Sequence, residues 1–238
     1  MNTENIILSN NCRFHLGDTP DAWQAWYDDS DWQEITLPHD WSVTLPFDRS
    51  CSSGTGYLPG GIGWYRIHIK PQEEWQGKQI SICFDGVYKN SRVWCNSYYL
   101  GERPNGYISF CYDITDQFRF DADNIISVYV DHREIADARW YTGSGITRKV
   151  SLRIEENVHP VANGIFFTTP HVNNELADCE VTTELINCMD EPCDAIVTNL
   201  LFAPDDTLIY EQNSHITLAA HDTGVTRTKG TISQPACW

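Results

Sequence analysis

Three stretches of this 238-residue chain concentrate side chains that could do chemistry. Leu37-Pro38-His39-Asp40-Trp41 sets an imidazole beside a carboxylate. Cys51–Gly63 (CSSGTGYLPGGIG) carries five glycines in thirteen residues around Tyr57. Residues 132–148 hold Asp137, Arg139-Trp140-Tyr141 and Gly143-Ser144-Gly145-Ile146. Planar side chains stack on the C–H faces of sugars, and Asp, Asn and Arg hydrogen-bond directionally to hydroxyls. Long loops on a rigid scaffold are where such groups usually sit. Tyr57 and Trp140, in glycine-rich loops, are read as binding or domain-contact residues. Trp64, Trp94, Phe84 and Phe110 lie on strand patterns and are expected in the core.

Other chemistries fit less well. Adjacent residues rarely face one reacting atom, so His39-Asp40 reads as a structural turn in which Asp40 accepts hydrogen bonds from backbone donors. The glycine run lacks Gly-Lys-Ser/Thr, and no helix pattern follows to present its N-terminus to a phosphate. Cys188 and Cys193 flank a turn-like Met-Asp-Glu-Pro, but no second closely spaced Cys/His pair completes a zinc site. No metal and no cofactor are expected, and none of the residues is assigned a catalytic role.

The elements that must carry these loops are strands. Residues 64–70 alternate, with Tyr65, Ile67 and Ile69 on one face and Arg66, His68 and Lys70 on the other. Ile80, Ile82 and Phe84 share a face, as do Ile126, Val128 and Val130; Val150–Ile154 is a further strand. Asn96-Ser97 is expected to turn a hairpin, since Asn tolerates positive φ. The best helical candidate is short, Pro20–Tyr27. Many short strands and few helices predict an all-β sandwich or barrel. A second unit begins after Glu155-Glu156-Asn157, its strands at 164–169, 181–186, 195–202 and 208–217 spaced as in an immunoglobulin-like sandwich. The expected domains are 1–156 and 157–238.

A formal net charge of −17 disfavours nucleic acid and anionic membrane partners, whereas a neutral sugar meets no repulsion. No apolar run approaches the roughly 20 residues of a membrane span. Met1–Asn11 has neither a basic n-region nor a long apolar h-region, so a cytoplasmic protein is expected, or a periplasmic or secreted one if a signal peptide has been removed. Nine cysteines, an odd number, are read as buried reduced thiols.

Seven ordered motifs resemble the amino-terminal region of glycoside hydrolase family 2, in particular its β-galactosidases. They are Arg13-Phe14-His15-Leu16-Gly17-Asp18; Asp29-Ser30-Asp31-Trp32 leading into Leu37–Trp41; Gly61-Ile62-Gly63-Trp64-Tyr65-Arg66; Phe84-Asp85-Gly86-Val87; Val93–Asn96 with Leu100-Gly101; Arg139–Arg148; and Pro235-Ala236-Cys237-Trp238. Thr147 stands where the family usually has an aromatic. The resemblance implies a jelly-roll (galactose-binding-like) β-sandwich followed by an immunoglobulin-like β-sandwich, the latter expected to be truncated: about five strands fit where about seven are needed. It also implies a TIM-barrel partner domain carrying two catalytic glutamates of a retaining double displacement. None of the thirteen glutamates here sits in a catalytic Asn-Glu motif, so the chain alone is expected to be inactive.

The positions matching the family's sugar-contacting loops fall in 51–63 and around Asp137 and Arg139. With Trp140 and Tyr57 these are the expected substrate-binding residues, for a terminal β-galactoside. The alternatives are a β-glucuronidase or β-mannosidase parent, or a free-standing carbohydrate-binding module. Open strand edges in a truncated second domain predict self-association or distortion there.

Overall fold

A computed structural model describes residues 3–134 and 138–235. Residues up to Ile154 form one compact unit and those from Glu155 a second. No α-helix occurs among the described residues; fifteen strands and four short 3-10 turns make up the regular structure.

The first unit contains β1 (Glu4–Ile7), β2 (Cys12–Leu16), β3 (Gln33–Ile35), β4 (Gly61–Ile69), β5 (Gln79–Phe84), β6 (Ser91–Cys95), β7 (Tyr98–Arg103), β8 (Phe110–Asp113), β9 (Asn124–His132) and β10 (Val150–Glu155). They form a six-stranded sheet, β3-β2-β4-β9-β6-β7, and a four-stranded sheet, β1-β10-β5-β8. The pairings β1–β10 and β5–β8, and every pairing in the six-stranded sheet, are antiparallel. Period-two alternation decides which residues meet between the sheets. Tyr65, Ile67 and Ile69 of β4 and Ile126, Val128 and Val130 of β9 pack with Ile80, Ile82 and Phe84 of β5 and Val150, Leu152 and Ile154 of β10 in one core. The β6–β7 hairpin turns through Asn96 (φ 48°) and Ser97 (φ 76°), as the sequence predicts.

The segment 20–27 is not a helix. It runs as successive tight turns closed by Gln24 N–H to the Asp21 carbonyl (2.9 Å) and Tyr27 N–H to the Gln24 carbonyl (3.1 Å). Asp21 has φ 67°, a left-handed conformation that stops helix propagation at its first turn. An ion cluster pins this segment to the outer face of the large sheet. Arg66, 1% exposed, donates Nε to Asp29 Oδ2 (2.7 Å) and its terminal nitrogens to the carbonyls of Ala22, Gln24, Ala25 and Tyr27 (2.7–3.2 Å). Arg13 Nη1 donates to Asp29 Oδ1 (2.7 Å), and His68 Nε2 lies 2.8 Å from Oδ2. Burial alone would raise the Asp29 pKa, but hydrogen bonds from His68, Arg66 and Arg13 hold the carboxyl well below the usual carboxylate range.

Two expectations about side chains change. Cys83 and Cys111, directly opposed on β5 and β8, form a disulfide on the face of the small sheet turned away from the core. The expectation of reduced thiols fails for this pair because the strand register brings two distant cysteines together. Cys12, Cys51, Cys95, Cys179, Cys188 and Cys193 are free. Trp64 and Trp94 also do not enter the main core. Trp64 belongs to a smaller cluster with Ala22, Trp32 and Ile62 on the outer side of the large sheet, and Trp94 packs there half-buried. Phe84 and Phe110 are core residues as expected.

The second unit has five strands: β11 (Val158–Thr168), β12 (Leu176–Asn187), β13 (Cys193–Phe202), β14 (Leu208–Leu218) and β15 (Thr223–Ser233). β11-β12-β15 form one sheet and β13-β14 another. Their inner faces are joined partly by polar side chains. Asn199 of β13 donates to Thr228 Oγ1 of β15 (3.1 Å), and Thr183 Oγ1 of β12 lies 3.5 Å from Asn199 Oδ1.

Candidate functional site

The loops singled out in the sequence are held together by a few backbone-directed contacts in the first unit. Asp40 Oδ1 accepts from Ser42 N–H and from Ser144 N–H (both 3.0 Å), joining the 37–41 turn to the 139–148 loop. The Tyr141 hydroxyl donates to Asp40 Oδ2 at 2.5 Å. Asp40 is thus the backbone-binding carboxylate that its sequence context predicts. Burial, reinforced by the bond to Asp40, pushes the Tyr141 phenol far above its ordinary pKa. Burial also lowers the His39 pKa against the opposing pull of Asp40, while His39 Nδ1 lies 3.0 Å from the Tyr65 hydroxyl.

Glycine is required where these loops close on the sheet. Gly145 exchanges two 2.8 Å backbone bonds with Tyr88 at φ +113°, and a Cβ there would stand 2.0 Å from the Tyr65 hydroxyl oxygen. The Gly-rich loop touches the 132–148 stretch in turn: a Cβ on Gly54 would stand 2.7 Å from the Ala138 carbonyl. Trp41 Nε1 donates to the Gly60 carbonyl (3.3 Å). Beneath these contacts is a buried polar row. Ser42 Oγ donates to the Pro59 carbonyl (2.6 Å) and lies 2.6 Å from Ser144 Oγ, which lies 2.7 Å from His132 Nδ1.

On this base stand the predicted contact residues. Tyr57 is 46% exposed at φ 62° and borders a recess of about 630 Å³ with Phe47 and Arg49. Trp140 is 59% exposed and donates Nε1 to the Tyr107 hydroxyl (2.8 Å). Arg139 is exposed. Asp137 lies outside the described residues. The structure therefore joins the loops at their bases while Tyr57 and Trp140 face different neighbours. Sequence reasoning missed Tyr107, whose ring also meets Tyr88 edge-on at 5.3 Å. The available signal was the Asn105-Gly106 turn before it, where Asn105 Oδ1 accepts from Tyr107 N–H (2.8 Å). Phe47 and Arg49 were missed as well. A larger open groove of about 990 Å³ runs along β2 and β3 and reaches His39, Asp40 and Thr44.

Residues 11–155 match the family described as glycosyl hydrolases family 2, sugar binding domain. The chain is 39% identical over 228 residues to Beta-galactosidase BoGH2A of Bacteroides ovatus, a match covering 95% of this chain and 27% of that protein. It is 39% identical over 180 residues to a putative beta-glucuronidase of Formosa agariphila, covering 75% of this chain and 17% of that one. A solved glycosyl hydrolase family 2 member from Bacteroides cellulosilyticus superposes with a TM-score of 0.88 at 32% identity, over 98% of this chain and 32% of that one. The beta-glucuronidase of Bacteroides uniformis gives 0.89 at 26% identity, over 100% and 29%. The chain spans under a third of the length of each of these relatives. Seven ordered motifs, a strand-built sandwich and a family match over 145 of its residues agree: the chain belongs to glycosyl hydrolase family 2, whose sugar-binding domain it contains.

Proposed function

We propose that this chain is the non-catalytic amino-terminal portion of a longer family 2 glycoside hydrolase acting on terminal β-galactosides, to which it contributes sugar-contacting loops and a scaffold. One observation carries the reading: Asp40 ties the 37–41 turn to the 139–148 loop by accepting from the Ser144 N–H and the Tyr141 hydroxyl, and leaves Arg139 and Trp140 exposed beside them. Tyr57, Asp137, Arg139 and Trp140 are the residues that contact sugar in this proposal. The barrel that holds the catalytic glutamates is a further domain of the same protein, so the 238-residue chain has no hydrolase activity by itself. A β-glucuronidase parent is the second reading, favoured by the likeness to the Formosa agariphila protein.

Two further features belong to the proposal. The Cys83–Cys111 disulfide favours an oxidising compartment, the periplasm or the outside of the cell, over the cytoplasm. Self-association through the outer edges of β13 and β14, unpaired among the described residues, is the expected homo-oligomeric contact. Saturation-transfer NMR with methyl β-galactoside and methyl β-glucuronide tests the sugar reading on the 238-residue chain. Affinity on the order of millimolar or weaker is expected, because one part of a site must still overcome the lost freedom of the ligand. Trp140→Ala and Tyr57→Ala should each reduce the transfer. Equal transfer in both variants and wild type would overturn the assignment, and preference for the glucuronide would select the second reading.

A further inference from the structure

The outer face of the six-stranded sheet carries a second feature that none of the loop residues joins. Outward-pointing positions of adjacent strands bring Trp64 (β4), Tyr129 (β9), Trp94 (β6) and Tyr99 (β7) into one connected set of rings. Trp64 lies 5.1 Å from Tyr129 and 5.5 Å from Trp94, and Trp94 lies 5.5 Å from Tyr99. The register explains the grouping, since Trp64 pairs with Tyr129 and Trp94 with Tyr99. Trp64 is 5% exposed and forms the floor; Trp94 and Tyr129 are half-buried, and Tyr99 is 54% exposed. On the left the face is closed by the 20–32 segment that Arg66 and Asp29 hold down, whereas over β9, β6 and β7 the rings are open to solvent. At that boundary Ala25 N–H donates to Ser97 Oγ (2.7 Å), bringing the following residue, the 71% exposed Trp26, to the β6–β7 turn.

We propose that this face is a second carbohydrate-binding surface, one that takes an extended neutral polysaccharide across β9, β6 and β7. Three properties fit that occupant. The rings stand on regular strands about 4.8 Å apart, so the array presents about 10 Å of fixed aromatic surface, a reach of about two sugar rings. Hydrogen-bonding groups border the rings. Arg92 sits 5.6 Å over Tyr129 and 3.6 Å from Glu102, and Arg133 forms a two-point pair with Asp131 (2.9 and 2.6 Å). These charges already neutralise one another, so the face suits an uncharged chain of hydroxyls, and the net charge of −17 disfavours a polyphosphate. The proposal does not rest on the loop site, and each can fail without the other.

Affinity gel electrophoresis of the 238-residue chain separates the outcomes, using pectic β-1,4-galactan, arabinogalactan and hydroxyethyl-cellulose as the probes in the gel. Retardation by at least one is expected. Tyr99→Ala and Arg92→Ala change exposed side chains and should retain the fold by circular dichroism. Tyr99→Ala should weaken retardation about tenfold, equivalent to about 1.4 kcal/mol, and Trp94→Ala by at least as much. No retardation by any probe overturns the proposal, as does equal retardation of wild type and Tyr99→Ala. Concentration-dependent self-association that Tyr99→Ala abolishes, in light scattering without polysaccharide, would reassign the face to a protein contact.

Discussion

Replacing Asp29 with Asn tests how the outer face is held. In the folded chain Asp29 is the shared anion for Arg13, Arg66 and His68, at 2.7, 2.7 and 2.8 Å. Its side chain is 6% exposed and that of Arg66 1%. The amide of Asn supplies one acceptor where the carboxylate supplies two, and it carries no charge, so Arg66 is left as a buried cation bound to neutral groups. Removing one partner of a buried ion pair costs about 3–5 kcal/mol. For a unit of this size each kcal/mol lowers the midpoint by about 2–4 °C, giving a loss of about 6–20 °C. Eight of the nine tryptophans lie before residue 155, so intrinsic fluorescence reports unfolding of this unit. The pH dependence supplies a second check. A carboxyl whose folded pKa is depressed contributes fully above its unfolded value of about 3.9 and loses that contribution as pH falls through the folded value. The gap between wild type and Asp29→Asn should therefore be full at pH 7 and narrow progressively as pH falls below about 4. A midpoint within 1–2 °C of wild type at pH 7, on the same scale, would refute the reasoning.

Three other outcomes follow from the same contacts. Gly145→Ala forces a side chain into φ +113° and against the Tyr65 hydroxyl, so the unfolding free energy from urea titration should fall by about 2 kcal/mol or more; an unchanged value would show that the loop can shift at no cost. His39 holds its folded pKa below 6.5 through burial, so its contribution is present above about 6.5 and lost as pH falls; His39→Gln should flatten the stability profile between pH 7 and 5. Serine at both Cys83 and Cys111 should cost about 3–4 kcal/mol for a separation of 28 residues, and thiol titration of unfolded wild type should find two fewer thiols before reduction than after.

Much of the fold is written in local alternation. Tyr65-Ile67-Ile69, Ile80-Ile82-Phe84 and Ile126-Val128-Val130 each state their buried face within seven residues, and the structure packs all three into one core. Asp40 was legible too, because a short carboxylate after a proline turn has few uses other than binding backbone donors. What local pattern lacks is knowledge of the neighbour. Trp64 and Trp94 share a face, but nothing nearby in sequence says that this face is the outer one, covered at Trp64 by a segment some forty residues earlier. The Cys83–Cys111 bond depends on the register of β5 against β8. The strand β15, rich in Thr, Gly and charged residues, shows its alternation only when paired along eleven residues with β12. Helical spacing at 20–27 was real, but the left-handed Asp21 overrode it.

The row of Ser42, Ser144 and His132 has a direction. The Pro59 carbonyl can only accept, so the single hydroxyl proton of Ser42 points to it. Ser42 Oγ must then accept from Ser144, and Ser144, its own proton committed, must accept from His132. Nδ1 of His132 therefore carries hydrogen, which fixes the tautomer of a histidine at the end of β9 from a proline carbonyl two side chains away.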